Sequence, residues 1–170
     1  FDPASIDAVV LSHAHLDHSG MLPRLCKEGF SGPIYCTRAT ADLLEIMLKD
    51  SVGLYLRDLE RTNLRNSRRG KPLLEPIYTQ DDVETVLTLC QGHRYTESIS
   101  LGEGGSLCFY DAGHILGSAI VEICLQDKGR EKRLVFSGDL GKADSVLMNV
   151  PARPGKADVL LVESTYGDRD

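Results

Sequence analysis

A mostly apolar run over residues 6–11 (IDAVVL) has the pattern of a short buried strand, and it breaks into the polar loop SHAHLDHSG. A helix is predicted over about 19–27, with Pro23 in its early part and Gly29 closing it. Residues 33–36 form a second short strand candidate. Thr37 then caps a long helix whose apolar positions, Ala41, Leu44, Met47 and Leu48, continue towards Leu56 and Leu59, with Gly53 as a possible break. Gly70 and Pro72 end any helix there, and Thr79 with Asp82 marks the start of another that reaches about Cys90. Beyond it the pattern turns to strands, over 98–101, 107–111, 119–125, 133–136 and 159–162, with Asp127 to Arg130 (DKGR) as a hairpin turn. His93 falls outside these elements, in an expected surface loop. Strands at both ends with helices between them predict an α/β layered domain.

The composition is that of an ordinary globular chain: 170 residues, 42% apolar and 26% charged. Nineteen Lys and Arg against 25 Asp and Glu leave a net charge of −6, so bulk charge does not draw this chain to nucleic acid. Handling a polyanion would take local cations or bound metal. Five scattered cysteines without a CxxC pair argue against a disulfide framework and a cysteine-rich metal module, and for a reducing, cytoplasmic compartment. No apolar run approaches a membrane span, and no membrane partner is expected. The chain starts at Phe1 rather than Met and stops soon after a strand, as a piece of a longer protein would.

Candidate chemistry gathers at the ends of the strands. His13-x-His15-x-Asp17-His18 puts four potential metal ligands within six residues, and in an extended segment His13 and His15 point to one side and can share an ion. Asp17 and His18, further along the turn, can meet a second ion. His114 follows the strand ending at Asp111, between Gly113 and Gly117; its plainer reading is a loop histidine satisfied by hydrogen bonds. Asp139 ends an apolar strand in FSGDLG, where it can bridge two ions or simply serve a turn. Glu163, in VESTYGD, can orient ligands or handle protons, and equally can cap a turn. Two ions holding a hydroxide of lowered pKa would suit hydrolysis of a phosphodiester, a thioester or a lactam alike. Ser12, Ser118 and Thr165 have no base at motif spacing, which excludes a serine-type nucleophile. Arg57, Arg61 and Arg65 share one helical face and could track RNA phosphates, although such runs are usually solvated. Tyr166 is expected to pack rather than to touch substrate.

HAHLDH, AGHILGSA and SGDLG resemble successive metal motifs of the metallo-β-lactamase superfamily, and ESTYGDR resembles the opening motif of its β-CASP branch of metal-dependent nucleases. LSHAHLDHSGMLPRL and GPIYCTRAT are similar to the same group, whose members include ribonuclease J, cleavage-factor-like ribonucleases and the endonuclease subunit of mRNA 3′-end processing. The resemblance implies an αββα sandwich and two zinc ions. His13, His15 and His114 would hold one zinc, Asp17 and His18 the other, and Asp139 both. Asp17 and Glu163 would take part in catalysis, Glu163 by supporting proton transfer. It further implies a metallo-β-lactamase domain over 1–162, the start of a β-CASP region over 163–170, single-stranded RNA as substrate, and homodimers of the longer protein. Nothing before Phe1 supplies the family's earlier strands, and no histidine follows His114, so the family's two later histidines are not in this chain. It is therefore expected to be impaired by itself. The competing readings are a hydrolase of small esters or thioesters and a non-catalytic RNA-binding paralogue, although every visible ligand position is filled.

Overall fold

The computed structural model describes residues 1–168 except Ala143. After a single 3-10 turn (Pro3–Ser5), β1 (Val9–Val10) leads into α1 (Leu16–Ser19), α2 (Leu22–Lys27), β2 (Ile34–Thr37), α3 (Arg38–Arg68), α4 (Gln80–Leu89) and β3 (Cys90–His93). β4 (Ile99–Ser100), β5 (Ser106–Asp111), β6 (Ala119–Asp127), β7 (Arg130–Phe136) and β8 (Val159–Leu161) follow. β1, β2 and β3 form a parallel sheet in that order. β4 to β8 form a second sheet in chain order, antiparallel except where β8 runs parallel to β7.

Three apolar clusters define the layers. The amphipathic face of α3 buries Leu44, Leu48 and Val52 at four-residue spacing, together with Ile34 and Cys36 of the first sheet, Leu22 of α2, and Val83 and Val86 of α4. Leu107, Phe109, Ala119 and Val121 of the second sheet pack against Val10 and Tyr35 of the first. Ala112, Ile120 and Val135, with Tyr110 and Leu140, form the third cluster, which contains no helical residue. The order is thus helices, sheet, sheet. Phe109 is fully buried between the sheets, and its replacement by Ala is expected to cost about 3–5 kcal/mol in urea unfolding.

Local chemistry explains the helix boundaries. Thr37 Oγ1 accepts the Thr40 N–H at 3.2 Å and starts α3. Asp82 receives the Thr79 N–H at 2.7 Å and starts α4. The single helix expected over 19–27 is two: α1 begins already at Leu16, and a break at Gly20 and Met21 precedes α2. Pro23 sits in the first turn of α2, where no donor is required. Gly53 does not interrupt α3, whose 31 residues run unbroken. Cys90–His93 is a strand rather than a helix end and a loop, because it pairs with β2, Cys36 opposite Gly92 and Thr37 opposite His93. His93 is accordingly half-buried, with Nδ1 3.5 Å from Glu97 Oε1. Among the described residues no helix is long and apolar enough to cross a membrane.

Candidate metal centre

The ends of three strands, β1, β5 and β7, supply one cluster. Beyond β1, Leu11 still bonds to the first sheet (N–H to Tyr35 O, 2.9 Å), while Ser12 O accepts the Ala119 N–H of β6 at 2.8 Å. The two sheets are therefore joined one residue before His13. The Ser19 hydroxyl closes the following turn by donating to the carbonyls of Ala14 and His15, both at 2.9 Å.

His13 is fully buried, and its Nδ1 stands 3.1 Å from Ser12 Oγ, which leaves Nε2 facing the cluster. His13 Nε2 lies 3.1 Å from His15 Nδ1, and His15 Nδ1 lies 3.2 Å from His114 Nε2. Asp139 Oδ2 stands 3.8 Å from His13 Nε2 and 3.6 Å from His114 Nε2. Its other oxygen, Oδ1, is 3.3 Å from His18 Nε2, which in turn is 3.6 Å from Asp17 Oδ2. Two groups result, His13, His15, His114 and Asp139, and Asp17, His18 and Asp139, each with its ligand atoms within 4.8 Å of one another. Asp139 belongs to both.

This donor set fits a divalent metal. Nitrogens about 2.0–2.1 Å from a tetrahedral ion lie about 3.3 Å apart, close to the spacings of His15 from His13 and from His114. Burial, and next the neighbouring His18, lower the His13 pKa to about 4, so its imidazole is neutral and free to donate a lone pair at neutral pH.

The loops that carry His114 and Asp139 are held by backbone bonds. Asp111 Oδ1 accepts the Gly113 N–H at 2.8 Å, and Ser118 Oγ accepts those of His114 and Ile115 at 3.0 and 3.1 Å. Gly117 O receives the hydroxyls of Thr37 and Thr40 at 2.6 and 2.9 Å, which fastens this loop to the start of α3. Glu163 lies beside Asp139, and its Oε1 accepts the Leu140 N–H at 2.7 Å. Hydrogen bonds from Thr165, then from the Leu140 N–H, hold the Glu163 carboxyl below its ordinary pKa.

Arg57, Arg61 and Arg65 are exposed but remote from this cluster. Helical rise puts Arg57 about 28 Å and Arg65 about 40 Å along α3 from Arg38, at the end that meets the His114 loop. Arg57 Nε donates to Gly53 O, and Arg61 pairs with Asp58 at 3.3 Å. The cation that the sequence reading missed is Lys142. With Ser145, Thr165 and Tyr166 it lines the cleft of about 640 Å³ onto which His114, Asp139 and Glu163 open. Its position three residues after Asp139, in SGDLGK, was the available signal. Of residues 163–170, Arg169 and Asp170 lie outside the described residues.

Residues 3–150 match the family described as the metallo-beta-lactamase superfamily domain, and the chain belongs to that superfamily. It is 42% identical over 169 residues to Ribonuclease TTHA0252 of Thermus thermophilus, covering 99% of this chain and 34% of that protein. It is 34% identical over 167 residues to Transcription termination factor FttA of Methanothermobacter thermautotrophicus, covering 98% of this chain and 24% of that one. It is 33% identical over 167 residues to an RNase J-like protein of Methanocaldococcus jannaschii, covering 98% and 33%. The chain thus spans a quarter to a third of these curated relatives. Among solved structures, the fold is similar to BJP-1, a subclass B3 metallo-beta-lactamase of Bradyrhizobium japonicum, with a TM-score of 0.51 and 20% identity over 95% of this chain and 58% of that one.

Proposed function

We propose that this chain carries the metal-binding part of a zinc-dependent ribonuclease of the β-CASP branch, which hydrolyses phosphodiester bonds of single-stranded RNA. The observation that carries the reading is the sharing of Asp139 between the two ligand groups. His13, His15 and His114 would hold one zinc, Asp17 and His18 a second, and Asp139 both. Bound there, the ions would supply Lewis acidity, making water a stronger acid and neutralising phosphodiester oxygens. The chain's own groups do the rest. Ser12 orients the His13 imidazole through its other ring nitrogen, as partners of metal-binding histidines do. Asp17, exposed at the edge of the cluster, can orient water or take its proton. Lys142 offers a positive charge to the phosphate in the cleft.

The names of the relatives, two of them ribonucleases or ribonuclease-like, favour RNA over small esters. Five free thiols agree with a reducing, cytoplasmic setting. The test is removal of metal from the complete polypeptide that contains this chain. Cleavage of a single-stranded RNA is expected to stop on dialysis against a chelator and to return with zinc. Cleavage that survives full metal removal would contradict the proposal. Lys142→Ala is expected to weaken RNA binding at low salt and to reduce the slope of log K against log salt by about 1, while zinc content stays unchanged. An unchanged slope would remove Lys142 from the substrate path.

A further inference from the structure

Glu163 is spent on backbone. Its Oε1 accepts the Leu140 N–H at 2.7 Å and its Oε2 the Thr165 N–H at 3.2 Å. Its own N–H donates to Ser137 Oγ at 3.0 Å, and that hydroxyl donates to Gly138 O at 2.6 Å. One step earlier the Ser137 N–H reaches Leu161 O at 2.9 Å. The end of β8 is thereby clamped to the turn 137–140 on both sides of Asp139.

Asp139 needs such a brace. Its side chain meets His13, His18 and His114, so its direction is set by the backbone of the turn that presents it. That turn is an unusual one: Gly138 has φ +53°, and a Cβ there would stand 2.8 Å from Ser12 Cβ.

We infer that Glu163 is a positioning residue, which aims Asp139 at both ligand groups by holding the Leu140 and Thr165 N–H groups. The inference rests on the metal-binding role proposed for Asp139.

Zinc affinity, measured by competition with a chromophoric chelator, tests the brace. Glu163→Gln keeps a carbonyl oxygen for the Leu140 N–H and is expected to bind zinc within about threefold of the native protein. Glu163→Ala is expected to lose about 10- to 100-fold in zinc affinity, the usual effect of removing a group behind a metal ligand. Should that variant fail to fold, Ser137→Ala, which releases the Glu163 N–H, is expected to shift affinity in the same direction by a smaller factor. Native zinc affinity in Glu163→Ala and Ser137→Ala, or a Glu163→Gln variant that loses as much zinc affinity as Glu163→Ala, would overturn the inference. Failure of the native protein itself to bind zinc would instead overturn the proposed function.

Discussion

Asp139→Asn is expected to lower RNA cleavage by at least about a thousandfold while changing side-chain volume very little. Each of its oxygens faces a different ligand group, Oδ2 towards His13 and His114 and Oδ1 towards His18. An amide keeps one carbonyl oxygen and offers an NH2 where the second ion must sit. Lewis-acid stabilisation of the transition state contributes several kcal/mol, and about 4 kcal/mol is a factor of 10³ in rate. Single-turnover cleavage with a saturating excess of enzyme is the measurement, because it removes substrate affinity from the comparison. A loss of less than tenfold would mean that Asp139 is not shared between ions.

Gly117→Ala is expected to cost about 3 kcal/mol in urea unfolding and to weaken metal binding as well. Gly117 has φ +80°, where an L side chain is strained by about 1–3 kcal/mol. A Cβ there would stand 2.5 Å from Thr40 N and 2.8 Å from Thr37 Oγ1, so the loop must move away from the start of α3. Movement puts at risk the bonds from the Thr37 and Thr40 hydroxyls to Gly117 O, each worth about 1 kcal/mol. His114 lies three residues upstream, and its displacement opens the first ligand group. Gly129→Ala is the control: it has the same kind of φ, +75°, but nothing within 4 Å of a Cβ, and it is far along the β6–β7 hairpin. It should show strain in stability without a change in metal affinity.

Where local chemistry decides structure, the chain was legible. Thr37 and Thr79 with Asp82 announced the starts of α3 and α4, and short apolar runs announced β5 to β7. β3 was not legible, because CQGH carries no alternation and is a strand only through pairing with β2. That pairing is also what takes His93 out of the surface loop expected for it. The break between α1 and α2 depends on backbone bonds around His15, which donor spacing does not reveal. In the site, the HxHxDH spacing and the strand-end positions of His114 and Asp139 pointed to the residues that the structure brings together. That they converge depends on Ser12 being tied to Ala119 across the sheets, a contact over more than a hundred residues. The arginine stripe was conspicuous as charge, but its distance from the site follows only once α3 is known to run unbroken and to start at the His114 loop. The use of Glu163 on backbone N–H groups has no sequence signature.

Among the described residues Asp139 alone reaches both ligand groups, and the proposed chemistry requires that this one carboxylate serve two metal ions. Anomalous diffraction from crystals of the zinc-loaded chain, recorded on either side of the zinc edge, locates those ions. Two peaks are expected, one among His13, His15 and His114 and one beside Asp17 and His18, each about 2.0–2.2 Å from an Asp139 oxygen. A single peak, or two peaks of which only one touches Asp139, would contradict that sharing.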